Sequence, residues 1–109
     1  MKQWEIFSFD FPGDIGRHPA VIVSSQARVE RGAMLNVLLC SSHRATRPAK
    51  PFEVILDESD GLDWQTLCRC DLFFVVSPEE LFSRRGIVGL DRRRAIVNTI
   101  LRSCEWDRL

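Results

Sequence analysis

The sequence predicts a mainly β domain, a small antiparallel sheet or barrel with one helix at its C-terminal end. Short apolar segments recur along residues 4–76 and are separated by turn residues. No helical pattern between them is long enough for the crossovers that parallel strands need. Apolar residues take up helical spacing only near the C-terminus. A length of 109 residues with 45% hydrophobic residues suits one domain spanning 1–109.

Five strands are predicted, each from its own pattern. The first is aromatic-rich and ends at Pro12–Gly13, a strong turn signal. The second and third are nearly continuous apolar runs, as in strands covered on both faces, whereas the fourth alternates apolar and polar residues. The fifth is the longest run and ends at Ser77–Pro78. The predicted segments are 4–11, 19–25, 35–42, 52–57 and 66–76.

A terminal helix of about 13 residues, a common helix length, is predicted to begin at Asp91 as N-cap. Its core stripe comprises Val97, Ile100, Leu101 and Cys104, spaced i, i+3, i+4 and i+7, and Ile96 widens it. A short helical turn is expected within residues 77–82.

Composition excludes several function classes. Lys plus Arg and Asp plus Glu both number 15, so the chain lacks the strong positive charge of a bulk electrostatic nucleic-acid binder. No apolar run approaches the roughly 18 residues that span a bilayer, so no membrane association is expected. The polar and acidic residues of the N-terminus do not fit a signal peptide. These observations favour a cytoplasmic protein.

The four cysteines, Cys40, Cys68, Cys70 and Cys104, are then expected to be reduced and to act as small buried apolar residues. Cys68 and Cys70 are two residues apart and lack the spacing of a zinc knuckle. No metal ion or other cofactor is predicted.

Charge is segregated along the chain. Residues 53–63 carry five acids and no base, and the loop before them is basic. Arg92, Arg93 and Arg94 follow Asp91 in the first helical turn, where the helix dipole disfavours cations. Two interpretations remain: these arginines bind phosphate or an acidic partner, or they form a solvated face linked to Asp91 and Glu79.

The order of these segments resembles the MazF/PemK family of toxin–antitoxin toxins over residues 3–104. The resemblance lies in W-E-I-F-S-F-D-F, R-H-P-A-V-I-V-S, N-V-L-L-C-S-S, P-F-E-V-I-L and E-L-F-S-R-R-G-I-V-G-L, in that order. It implies a small SH3-like antiparallel β-barrel, a homodimer and a metal-independent endoribonuclease that cuts single-stranded RNA. It also implies a small antitoxin protein as partner.

The resemblance places the catalytic residues at altered positions. The family has an arginine before the strand-opening proline, where this chain has His18, with Arg17 one residue earlier. Ser41 stands where the family has a threonine, and Leu72 follows Asp71 where the family often has a glutamine. Metal-free RNA cleavage needs proton carriers and a donor to the phosphate, so we expect His18, Arg17 and Ser41 to form the catalytic set.

One geometric difficulty accompanies this set. Successive residues at a strand entrance face opposite sides, and a residue before proline is held extended, so Arg17 and His18 are not expected to reach one phosphate together. RNA contacts are expected from a further group of basic and polar residues: Ser42, His43, Arg44, Arg47, Arg84 and Arg85.

Two other functions fit the same resemblance. A member that kept the fold and lost the chemistry would serve as a dimeric binding or regulatory protein. Toxins on the same fold also poison DNA gyrase through their C-terminal residues, and Trp106 is compatible with such a partner contact.

Overall fold

A computed structural model describes residues 1–41 and 44–109. Its strands are β1 (Glu5–Phe11), β2 (Gly16–Ile22), β3 (Leu35–Leu39), β4 (Glu53–Leu56), β5 (Thr66–Arg69), β6 (Phe74–Val76) and β7 (Phe82–Ile87). Its α-helices are α1 (Gln26–Glu30) and α2 (Leu90–Ser103). Short 3₁₀ turns cover Glu58–Asp60, Pro78–Glu80 and Trp106–Arg108, and the second of these lies within the helical turn predicted for 77–82.

The strands form two antiparallel sheets. The larger has the order β6-β3-β2-β1-β7, and the smaller pairs β4 with β5. A β-bridge between Cys40 and Cys68 connects β3 to β5 and, with the hydrogen bond from the Ser41 N–H to the Leu67 carbonyl oxygen (3.0 Å), joins the two sheets. The predicted fold class is confirmed as mainly β with a C-terminal helix, although the five-stranded sheet is not closed into a continuous barrel.

The central strands of the large sheet are buried on both faces. Val21 of β2 packs with Ile6 and Leu38 in a cluster shared with β4, β5 and α2. Its neighbours Ala20 and Ile22 face the other way, into a cluster that includes Val29 of α1. The alternation of strand side chains therefore explains the unbroken apolar sequence of β2.

Two strand predictions were wrong in extent. The run 66–76 is two strands: β5 pairs with β4, the chain then crosses between the sheets, and β6 pairs with β3. Strand β2 spans Gly16–Ile22 and not 19–25, so Arg17 and His18 lie within the strand. Strand β7 was not predicted, because its sequence FSRRGI has neither a continuous nor an alternating apolar pattern.

Helix α2 begins two residues earlier than predicted, because its N-cap is Gly89 and not Asp91. The buried positions are Ile96 and Thr99, whereas Val97 and Leu101 of the predicted stripe are exposed. The helix is thus rotated so that one edge of that stripe, near Ile96, faces the core.

A buried carboxylate fixes the start of α2. Asp60 accepts hydrogen bonds from the backbone N–H groups of Asp57 (3.0 Å) and Gly89 (2.8 Å). It also pairs with Arg92 at 3.4 Å, and a second Arg92 nitrogen lies 3.0 Å from Asp57. The expected partners Asp91 and Glu79 are therefore replaced by Asp57 and Asp60, which neutralise a cation that the helix dipole disfavours.

The other two arginines of this turn differ. Arg93 donates to the Val88 carbonyl oxygen at 2.8 Å and lies over the Trp4 ring, while Arg94 is exposed. Only Arg94 therefore matches the solvated-face interpretation.

Three cysteines, Cys40, Cys68 and Cys70, are buried in the core, and Cys104 is partly buried. Hydrogen bonds with Cys40 and Cys70, together with burial, raise the pKa of the Cys68 thiol well above its usual range. This thiol is therefore a protonated packing group. Near the C-terminus, Trp106 stacks on Phe73 with ring centroids 6.2 Å apart. Within the described ranges, no helix has the length and apolarity to cross a membrane.

Candidate functional site

Two adjoining hollows form an open groove where the ends of β2 and β3 meet the small sheet. Their volumes are about 170 and 300 Å³, and they share His18, Ser41 and Leu67. We call this the β3–β5 groove. The other described residues lining it are Leu39, Cys40, Arg44, Ala45, Thr46, Arg47, Glu53 and Arg69.

His18 is held at both ring nitrogens by backbone carbonyl groups. Its Nδ1 lies 2.8 Å from the Cys40 oxygen, and its Nε2 lies 2.9 Å from the Ile15 oxygen. A carbonyl oxygen only accepts, so a ring protonated at both nitrogens satisfies both contacts and a neutral ring satisfies one. The Cys40 contact is the more buried of the two. The Nε2 contact is at the surface, where another acceptor can replace Ile15.

Ser41 belongs to a small hydroxyl network at the end of β3. Its Oγ accepts from the Leu67 N–H at 3.1 Å and lies 2.5 Å from Thr66 Oγ1. Thr66 donates its own proton to the Ser41 carbonyl oxygen at 2.6 Å, which makes Ser41 the donor between the two hydroxyls. Because Thr66 is buried, this network fixes the position of the Ser41 side chain.

Arg17 does not join the groove. In the β1–β2 register it lies opposite Asp10, while His18 lies opposite Phe9, so the two side chains leave opposite faces of β2. Arg17 Nε donates to Asp10 at 3.0 Å, and the guanidinium lies over the Phe82 ring. The difficulty expected for Arg17 and His18 is therefore present in the fold.

The groove contains two arginine–carboxylate pairs. Arg47 binds Glu53 end-on, with both terminal nitrogens 2.7 Å from the carboxylate oxygens. These hydrogen bonds hold the pKa of Glu53 below its ordinary range. Arg69 binds Asp71 through Nε at 2.7 Å and Nη2 at 3.3 Å. The Asp71 hydrogen bond raises the pKa of Arg69.

The remaining predicted RNA-binding residues are divided. Arg44 and Arg47 line the groove. Arg84 and Arg85 lie on β7, at the far edge of the large sheet, where they pair with Glu5 (2.5 Å) and Asp63 (3.5 Å). The predictions for Ser42 and His43 fall outside the described residues.

Two charged lining residues, Glu53 and Arg69, were missed from the sequence, as was Thr66, which contacts Ser41 from outside the lining. Glu53 and Arg69 are paired across the β4–β5 ladder, and Thr66 reaches the groove through its contact with Ser41. The alternation within TLCR, with Cys68 buried inward, was the available signal that Leu67 and Arg69 face outward together.

The arrangement has the parts of a phosphodiester site. It combines an imidazole, a positioned hydroxyl and three arginines with a single glutamate among the described lining residues. No cluster of metal-ligating side chains occurs in the described portions of the chain.

Comparison with known families decides the classification. The profile of PemK-like, MazF-like toxins of type II toxin–antitoxin systems matches residues 2–103. The chain belongs to this family. It is a MazF/PemK-like toxin of a toxin–antitoxin system, and the family assignment made from its sequence is confirmed. No curated protein matches the chain.

Solved structures share the fold. A mycobacterial endoribonuclease in complex with its cognate antitoxin has a TM-score of 0.81 at 21% identity, covering 96% of this chain and 95% of that chain. The Mycobacterium tuberculosis toxin MazF-mt6 has a TM-score of 0.78 at 16% identity, covering 93% and 96%. A MazE–MazF structure from Deinococcus radiodurans gives 0.72 at 16% identity, covering 94% and 92%.

Proposed function

We propose that this MazF/PemK-like toxin is a metal-independent endoribonuclease that cuts single-stranded RNA in the β3–β5 groove. The observation that carries the proposal is that His18 and Ser41, from β2 and the end of β3, line the same open groove. Arg47 and Arg69 are paired with Glu53 and Asp71, and Arg44 adds one further positive charge, so the groove keeps a small excess of positive charge that suits a phosphate backbone.

His18 Nε2 is the proton-transfer atom. The Cys40 carbonyl holds a proton on Nδ1, so in the neutral ring Nε2 carries the lone pair. A substrate hydroxyl displaces the Ile15 carbonyl from Nε2 and loses its proton there. The 2′-oxygen then forms a bond to phosphorus as the bond to the 5′-oxygen breaks. The protonated ring can return its proton to the leaving oxygen, which leaves a cyclic phosphate and a 5′-hydroxyl.

Ser41 stabilises the charge that develops on the phosphate. Its Oγ is held by the Leu67 N–H, and its proton turns from Thr66 toward a phosphate oxygen. Arg17 has no part in this step, because it faces Asp10 on the other side of β2.

A catalytically inactive RNA-binding or regulatory protein is the second candidate. Three observations favour it. Thr66 already binds the Ser41 hydroxyl, backbone carbonyl groups bind both His18 nitrogens, and Arg17 points away from the groove. This candidate predicts RNA binding without strand cleavage.

We further propose a homodimer that acts in the cytoplasm and is neutralised by a small antitoxin. The antitoxin is supported by two structural relatives, an endoribonuclease in complex with its cognate antitoxin and a MazE–MazF structure.

The test is cleavage of a long single-stranded RNA by the purified chain in EDTA, with wild type beside His18→Ala and Ser41→Ala. Each variant is expected to lose about 10²-fold in rate, a usual contribution for acid–base groups. Ser25→Ala, at the N-cap of α1, is the matched control and should retain the rate. Undiminished cutting by both site variants would show that the residues are wrongly assigned. RNA binding without cutting by wild type would establish the second candidate.

A further inference from the structure

Arg69 lines the β3–β5 groove together with His18 and Ser41. It is the last residue of β5, and Leu67 on the same strand face also lines the groove. The β4–β5 register sets Arg69 opposite Glu53. Its side chain is 44% exposed, so the guanidinium is open to a molecule entering the groove.

The guanidinium is held in place before any ligand binds. Asp71 accepts from Nε and Nη2, which is one side of the planar group. The Phe52 ring lies against it, with its centroid 5.0 Å from the guanidinium carbon. Little side-chain entropy is then lost on binding, because two contacts already restrict the rotamer.

The groove arginines Arg69 and Arg47 both have a carboxylate partner, but they differ in which edge of the guanidinium that partner occupies. Arg47 uses both terminal nitrogens on Glu53. Arg69 pairs side-on, and within residues 1–41 and 44–109 its Nη1 makes no hydrogen bond. A guanidinium bound along one edge keeps donors on the other, and these fit an oxygen of a phosphodiester.

We propose that Arg69 is the phosphate-binding cation of the groove, donating from Nη1 to a phosphodiester oxygen while Nε and Nη2 stay on Asp71. This rests on the proposed function, since RNA is the source of the phosphodiester. In this proposal the positive charge beside the phosphate comes from β5, because Arg17 on β2 does not face the groove.

The experiment measures binding separately from cutting. Fluorescence anisotropy gives the Kd for a mixed-sequence, 2′-O-methylated RNA oligonucleotide, which lacks the attacking hydroxyl, over a series of salt concentrations. Unmodified RNA is assayed for cleavage in parallel. The variants are Arg69→Gln, Arg69→Lys and Asp71→Asn, with Arg28→Gln on α1 as the matched control, and circular dichroism verifies the fold of each.

Arg69→Gln is expected to weaken binding about tenfold or more. It should lower the slope of log Kd against log salt concentration by about 0.7, the value for one phosphate contact on a single strand. Arg69→Lys is expected to keep the wild-type salt slope and to bind with an affinity between those of wild type and Arg69→Gln, since the charge remains and the planar fork is lost. Asp71→Asn binds as well as wild type or better, because a negative charge beside the cation is removed.

Two results would overturn the role of Arg69 while leaving the proposed function standing. In the first, the wild-type chain binds and cuts RNA, and the Arg69→Gln variant shows the same affinity and the same salt slope as wild type. The other is an equal loss in Arg69→Gln and Asp71→Asn, which is the signature of a purely structural ion pair. A wild-type chain that neither binds nor cuts RNA would reject both the proposed function and the phosphate role.

Discussion

Replacing Asp60 with alanine is expected to be among the most destabilising single changes in the chain. The carboxylate is fully buried and receives two backbone N–H groups, from Asp57 and Gly89, as well as Arg92. These three partners belong to the 3₁₀ turn before β5, the β7–α2 junction and the first turn of α2. One side chain thus connects three segments.

The magnitude follows from what is left unpaired. Each buried N–H deprived of its acceptor costs about 1–3 kcal/mol. Arg92 is 30% exposed and keeps its contact with Asp57, so the loss of its Asp60 contact adds only about 1 kcal/mol or less to the cost of the two unpaired N–H groups. We therefore expect a total loss of about 3–5 kcal/mol. This is a large part of the 5–15 kcal/mol typical of a domain.

Urea unfolding followed by tryptophan fluorescence measures this change, since the chain has three tryptophans. Asp63→Ala is the matched control: its side chain is 74% exposed and its only pairing among the described residues is the 3.5 Å contact with Arg85. The control should lose less than about 1 kcal/mol. An Asp60→Ala loss within about 1 kcal/mol of the control would refute the argument that this carboxylate holds the junction together.

Two further predictions concern backbone approach and pH. A Cβ on Gly86 would collide with the Asp60 carbonyl oxygen and lie 2.9 Å from the Gly61 Cα, so Gly86→Ala should cost about 3 kcal/mol in urea unfolding. Gly89→Ala meets only an ordinary contact at 3.4 Å and should cost under about 1 kcal/mol, and equal losses would contradict this. Arg47 lowers the folded-state pKa of Glu53, so its stabilisation is complete above the unfolded-state pKa and is lost as pH falls through the folded one. Glu53→Gln should thus be less stable than wild type at pH 7, with the difference in urea midpoint narrowing below about pH 4.5, and a constant difference would contradict the assignment.

Local patterns in the sequence predicted much of the fold. Strand β4 alternates as predicted, with Val54 and Leu56 buried, and β2 is covered on both sides. The run 66–76 was misread because apolar continuity persists while the chain changes sheets between Arg69 and Phe74. Among the described residues β7 pairs with β1 alone and in irregular register, so it is an edge strand, and its exposed Ser83 and Arg84 interrupt any apolar pattern.

From the sequence, only those site residues that lie next to predicted strand ends could be identified. His18 and Ser41 lie at predicted strand boundaries, and the opposition of Arg17 and His18 followed from alternation alone. Arg69 lies 51 residues beyond His18, and nothing local shows which face of β5 borders β2 and β3. The rotation of α2 has the same origin, because Asp57 and Asp60 fix its start from a distant turn.

The Cys40–Cys68 bridge between β3 and β5 has a consequence for the dimensions of the groove. His18 and Ser41 belong to β2 and the end of β3, Arg69 belongs to β5, and the buried side chains of Cys40 and Cys68 lie where β3 and β5 meet. A slightly larger or smaller residue at either cysteine is therefore expected to alter the distance between His18 and Arg69 without replacing either of them. Core packing at these two cysteines therefore sets the spacing of residues in the groove.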